Sequence, residues 1–197
     1  MRIDIHAHYY PEAYLDLLQR FGSTATEMAR GRGAGGESHE IEARLELMDS
    51  VQVQMQVLSI SPQLPYFEDE ANAVEAARAI NDLYADLVQR YPTRFAAFAA
   101  VPLPHIDSVL AEMERALDEL HMVGITAATS VLGRSLADPQ FEPFYAELDR
   151  RGAVLYIHAA GVAACSPLIA DYGLTWPIGT PIEDTISATQ LIFKGQR

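Results

Sequence analysis

Two histidines one residue apart close the first apolar stretch of the chain, Arg2-Ile3-Asp4-Ile5-His6-Ala7-His8. In an extended segment residues two apart share a face. His6 and His8 therefore present two imidazoles side by side, at a separation one metal ion can bridge. Neutral imidazole is the commonest protein ligand for zinc and suits other first-row metals. The pair alone also reads as an ordinary polar strand end. A third histidine, His158, ends the later apolar run Ala153-Val154-Leu155-Tyr156-Ile157 in the same way. If both runs are strands of one parallel sheet, all three imidazoles meet at its C-terminal edge, where barrels carry ligands and catalytic groups. Three neutral imidazoles can hold a divalent ion and leave a position open. From there the ion polarises a substrate oxygen, or lowers the pKa of a bound water toward about 7. Asp4, two residues before His6, counts onto the same side as the pair. It reads as a fourth ligand, as a hydrogen-bond partner of an imidazole, or as a carboxylate facing solvent at the strand start. His105 follows two prolines at a strand end and is a weaker candidate for a pocket wall, while His39 and His121 read as surface or structural positions.

The elements that must position these groups alternate along the chain. Pro11 opens a short helix with Leu15, Leu18 and Phe21 on one face. A glycine-rich stretch, Arg30 to Gly36 within a flexible insertion around 22–38, matches no phosphate-binding spacing and follows no strand. A helix over 40–50 and a strand over 51–60 come next. A long helix over 68–91 is stopped by Pro92, and a buried strand over 95–101 follows. The pattern continues with a helix over 105–121 capped by Asp107 or Ser108, and a strand over 124–129. Asp138-Pro139 opens a further helix that Gly152 closes, and the strand ending at His158 follows. A last helix over 180–195 directs Ile182, Ile186, Thr189, Leu191 and Phe193 mostly toward a core. Five strand–helix repeats with short connections imply an α/β fold with a parallel sheet and helices outside. At 197 residues the chain is one domain, and a whole (β/α)8 barrel usually needs about 250.

Composition narrows the partners. Hydrophobic residues make up 49% and charged residues 21%, with a net charge of −13, so nucleic acid and anionic membrane are poor partners. A single cysteine, Cys165, allows no internal disulfide. No apolar run reaches the roughly 20 residues that span a bilayer, and no leader pattern opens the chain, so a cytoplasmic protein is expected.

Four blocks together resemble the amidohydrolase-2 (amidohydrolase-related) family. They are Ile3 to His8, Arg44-Leu45-Glu46-Leu47-Met48-Asp49 with Val53 to Ser59, Tyr156-Ile157-His158, and Ile178 to Thr185 leading to Leu191-Ile192-Phe193-Lys194-Gly195. Within the family the chain is most similar to the aminocarboxymuconate-semialdehyde decarboxylase type. The resemblance implies a distorted (β/α)8 TIM-like barrel, here only about its first five βα units. It implies one divalent metal on His6, His8 and His158, most simply Zn2+, with Mn2+, Fe2+ or Co2+ as alternatives. It implies a small carboxylated substrate, unsaturated or aromatic-derived, with Trp176 against it and an arginine from the region of Arg30 and Arg32. Decarboxylation is the leading activity, hydrolysis of an amide or lactone at the same site the second, and a non-catalytic half-barrel that only binds a partner the third. The family's acid/base histidine and late aspartate ligand would fall beyond Arg197. With further strands lacking, the first and fifth are open edges, and the chain alone is expected to dimerise or aggregate. Homodimers are also what the family likeness implies.

Overall fold

The computed structural model describes residues 1–161 and 167–195, so Cys165 lies outside the described residues. Strand β1 (Ile3–His8) leads through helices α1 (Glu12–Arg20) and α2 (Ser38–Ser50) to β2 (Met55–Ser59). Helix α3 (Glu70–Arg90) precedes β3 (Phe95–Ala97) and β4 (Ala99–Ala100), and α4 (Ile106–Glu114) precedes β5 (Ile125–Ala128). A small hairpin, β6 (Ser130–Val131) and β7 (Arg134–Ser135), then α5 (Glu142–Arg151), lead to β8 (Leu155–His158). Helices α6 (Pro167–Ala170) and α7 (Thr180–Lys194) follow. Strands β1, β2 and β3 pair in that order, as do β4, β5 and β8, and every one of these pairings is parallel. The arc is a partial (β/α)8 barrel of five strand positions, as the sequence pattern predicts.

One predicted strand, 95–101, is divided at Phe98. There the chain exchanges partners: Phe98 N donates to the Leu58 carbonyl, and Ala99 N to the Gly124 carbonyl, both at 2.9 Å. Buried Asn81 of α3 secures the far side of the break. Its Nδ2 donates to the Ala100 carbonyl (2.8 Å) and its Oδ1 accepts from the Ala100 N–H (2.9 Å). Helix α3 reaches that point because Ala73, Ala76 and Ala77 bring it close to the sheet, and Ile80, Tyr84 and Leu87 are also fully buried. Each such large side chain contributes about 1.5–3 kcal/mol by leaving water.

Other boundaries moved for local reasons. Strand β2 begins at Met55, not Val51, because α2 runs to Ser50 and the chain then turns through Gln52 at φ 58°. The helix predicted over 105–121 starts at Ile106 with His105 as its N-cap residue, and finishes in a π-helical turn, Arg115–Glu119. Ser108 does not cap it; its hydroxyl donates to Glu70 Oε1. Asp138 does cap the next helical segment, accepting from Gln140 N at 3.0 Å, and Gly152 ends α5 in the left-handed region. The 22–38 stretch contains a 3-10 turn, Thr26–Met28, with Thr26 and Ala29 buried.

The ends of the arc differ from its middle. Ile3 and Ile5 of β1 are 41% and 59% exposed. On α7, Ile182, Ile186 and Phe193 are exposed, against the prediction that they face a core, whereas Leu191 packs in part. The positions α7 buries are Glu183 and Ser187. Among the described residues, α7 follows the last paired strand, β8, and packs on it through the stripe of those two positions.

Candidate metal centre

The imidazoles of His6, His8 and His158 form an equilateral triangle. Their ring centroids are 5.1 Å apart in all three pairs, and each pair meets edge to face. Each ring offers one nitrogen to a common centre, with these atoms all within 4.8 Å of one another. Strands β1 and β8 are the outer strands of the described arc, so the rings meet across its concave side. His158 Nδ1 lies 2.8 Å from the Ala159 carbonyl. A carbonyl only accepts, so Nδ1 carries the proton and Nε2 keeps its lone pair for a ligand.

Burial and mutual repulsion favour the neutral form of His8 and His158. Burial, then the charges His158 and His6 would carry, lowers the His8 pKa to about 4. Burial also lowers that of His158. At neutral pH these two rings are therefore in the form that binds metals. His8 Nδ1 is buried without a hydrogen-bond partner, so this ring still has a nitrogen that the protein does not use. The donor set and its spacing fit a divalent ion.

Asp4 is not part of this cluster. It lines the same cavity as the histidines, but its oxygens are not among the clustered ligand atoms. Its carboxylate accepts instead from the His6 backbone N–H and from Gln56 Nε2, both at 3.0 Å. His105 is likewise elsewhere, its Nε2 bonded to the Phe67 carbonyl at 2.9 Å.

Aromatic rings back the triangle. Tyr10 stacks on His8, centroids 5.4 Å apart and planes 10° from parallel, and its hydroxyl donates to the Ser61 carbonyl. Tyr156 stands 6.2 Å from both His6 and His158 and stacks on Phe98 at 5.0 Å. Burial pushes its hydroxyl up to about 12, so it stays a neutral phenol.

Behind His158 lies a carboxylate clamp. Buried Glu183 accepts from the Ala160 and Gly161 N–H groups, both at 2.9 Å, and from the Thr129 hydroxyl. Thr129 N in turn donates to the His158 carbonyl at 3.1 Å. The neighbouring Asp184 faces the cavity, and burial raises its carboxyl pKa against the pull of His158. Sequence reasoning missed both acids and Tyr10. Tyr10 continues the two-residue alternation of His6 and His8, a usable signal. The Glu183-Asp184 pair could have been suspected as the only two acids of helix α7, Thr180–Lys194.

A cavity of about 1220 Å³ opens onto the triangle, and Trp176 and Arg32 are on its wall. Arg30 is not. Its guanidinium is engaged by Glu12, by Asp16 at 2.8 Å and by Glu27 at 3.6 Å. Trp176, in a π-helical turn (Thr175–Gly179), rests against Gly161. At φ +78° this glycine has no Cβ to occupy the space, 3.0 Å from the indole, where one would stand.

Comparison with known proteins agrees with this architecture. The chain is 33% identical over 204 residues to decarboxylase yanB of Aspergillus niger, covering 98% of this chain and 54% of that protein. It is 26% identical over 211 residues to 2-amino-3-carboxymuconate-6-semialdehyde decarboxylase of Dictyostelium discoideum, covering 99% and 58%. A solved structure of a dihydroxybenzoic acid decarboxylase from Polaromonas sp. JS666, with bound manganese and the inhibitor 2-nitroresorcinol, superposes with a TM-score of 0.75. That match has 25% identity and covers 96% of this chain and 59% of the other. The chain thus spans between half and three-fifths of the length of these relatives. The Amidohydrolase family (Amidohydro_2) matches residues 3–195, a span that takes in all three histidines, and the chain belongs to that family.

Proposed function

We propose that His6, His8 and His158 hold one divalent metal ion in a decarboxylase for a small aromatic-derived or unsaturated carboxylic acid. The observation that carries this reading is the triangle of imidazoles with a cavity in front of it. The relatives that are decarboxylases support the reaction class. The manganese in the Polaromonas enzyme supports Mn2+ as a candidate beside Zn2+. A divalent ion there supplies Lewis-acid polarisation of a substrate oxygen.

The chain's own residues supply the rest. The Nδ1 proton of His158, held by Ala159, aims Nε2 inward. Arg32, on the cavity wall near Tyr10, offers a cation for the substrate carboxylate, and guanidinium matches that group with two parallel donors. Trp176 offers a flat apolar surface to a ring or conjugated chain. Arg30, occupied by three carboxylates, has no such part. A homodimer in the cytoplasm is the setting we assign; no helix among the described residues is long and apolar enough to cross a membrane.

Elemental analysis of protein purified without chelator or tag histidines tests the site. About one equivalent of metal per chain is expected, and none in His6→Ala. Carbon dioxide release from hydroxybenzoate-like and carboxymuconate-like acids then tests the reaction. Cleavage of lactones or amides without carbon dioxide would replace it with hydrolysis.

A further inference from the structure

A half-buried arginine braces the segment that carries His6 and His8. Arg44, on α2, donates from Nη2 to the His8 carbonyl at 2.6 Å and from Nη1 to Gln56 Oε1 at 3.0 Å. Gln56 Nε2 donates to Asp4 Oδ2, and Asp4 Oδ1 accepts from the His6 backbone N–H, both at 3.0 Å. The four bonds form one chain that begins on the backbone of one histidine and ends on the backbone of the other. It spans the place where β1 slips register against β2, between Asp4 and Ala7. An irregularity of this kind disrupts the local ladder and re-aims the side chains beside it. His6 sits within that irregularity and His8 just past it, paired with Ser59, so regular strand pairing alone does not fix the two rings relative to each other. The side-chain chain does.

We propose that Arg44 is a positioning residue of the metal centre, holding His6 and His8 in a common ligating geometry through Gln56 and Asp4. The inference rests on the reading of the three histidines as metal ligands. It also gives a role to Arg44 within the Arg44-to-Asp49 block, whose Leu47 and Met48 line the cavity. The guanidinium is suited to the task because it presents donors in a fixed planar fork to two acceptors on different strands. An ammonium, a point charge on a flexible stem, cannot reproduce that relation.

The test uses the 197-residue chain as wild type, Arg44→Met, Gln56→Leu, the double variant and Arg44→Lys. Arg115→Met serves as a control, since Arg115 binds Glu112 and Asp82 on the outer helices. Mn2+ affinity is measured by chelator competition, and the amide exchange of His6 by NMR in metal-free protein. Arg44→Met is expected to weaken Mn2+ binding about tenfold or more and to accelerate His6 exchange, with the rest of the sheet unchanged. The double variant should be no worse than the worse single one, because both break the same chain. Arg44→Lys should recover only part, and Arg115→Met should lose stability without losing Mn2+ affinity.

Unchanged affinity or unchanged His6 exchange in Arg44→Met overturns the proposal. So do additive effects, or an Arg115→Met variant that binds Mn2+ as weakly as Arg44→Met. If the wild type takes up no Mn2+, the ligand reading falls and a metal-positioning Arg44 falls with it. The His6 exchange still reports whether the brace exists, so the two failures are told apart.

Discussion

Strands β1 and β8 deliver imidazoles to the same point by different means. β1 is held from its own neighbourhood: a side-chain relay from α2 and β2 grips the backbone on both sides of a register slip. β8 pairs regularly with β5 over its whole length, from Ile125↔Leu155 to Ala128↔His158. What it needs is control of the chain just after His158, and that comes from a later helix, through Glu183. The irregular strand is braced by a relay of a cation, a side-chain amide and the Asp4 carboxylate. A regular one is finished by a buried carboxylate that collects backbone N–H groups. The difference teaches that a three-histidine site requires as much support from outside its ligands as from the strands that carry them.

Removing ligands gives the largest expected effect and treats both strands alike. His8→Ala and His158→Ala should each abolish metal uptake in elemental analysis, since two imidazoles leave an ion half-held. Substituting Glu183 separates the two strands. Glu183→Ala leaves two backbone N–H groups and a hydroxyl without their acceptor and should lower stability by about 3 kcal/mol in urea denaturation. The His6 amide should exchange as in the wild type, because the β1 relay is untouched. Accelerated exchange there would show the two supports to be one.

Acid should weaken both strands, β1 through the more strongly perturbed ring. The His8 pKa is about 4 when folded, against about 6.5 in an unfolded chain. Between those values the unfolded state binds more protons, so stability rises with pH there and is lost as pH falls from about 6.5 toward 4. Discounted for its residual access to solvent, the His8 contribution is on the order of 2 kcal/mol. Metal-free thermal melts across this range should show the slope, and His8→Phe should flatten it. The smallest effect belongs to Gly161→Ala, which puts a methyl against Trp176 at a positive φ. A loss of about 1 kcal/mol is expected in the same denaturation experiment, with no change at His6.

The parts of the molecule legible in the sequence are those governed by periodicity. Apolar runs with histidines at their ends located β1 and β8, and the alternation of strands and helices located the barrel. Asp4 lies on the cavity side that the alternation gave it, but the partners its carboxylate takes, the His6 backbone N–H and Gln56, leave no mark in composition. The break at Phe98 was hidden for a similar reason: both halves of the stretch are equally apolar, and only the exchange of partners from β2 to β5 divides them. Arg30 and Arg32 are indistinguishable as letters in one loop. Three carboxylates brought together by folding decide that one is neutralised and the other is on the cavity wall. On α7 the apolar pattern did not pick out the stripe that packs on the described strands, which is formed by Glu183 and Ser187 while Ile182, Ile186 and Phe193 are exposed.

The contact between Trp176 and Gly161 ties two traits of the protein together. Gly161 is three residues past His158, in the stretch whose N–H groups Glu183 holds. Trp176 shapes the cavity wall, and its seat is the same short piece of backbone that sets the aim of a ligand. A change of wall, whether by drift or by design, is therefore expected to reach the proposed metal centre. Substrate range and metal preference in this lineage should not vary independently. Libraries aimed at Trp176 would do best to sample Gly161 and Glu183 alongside it.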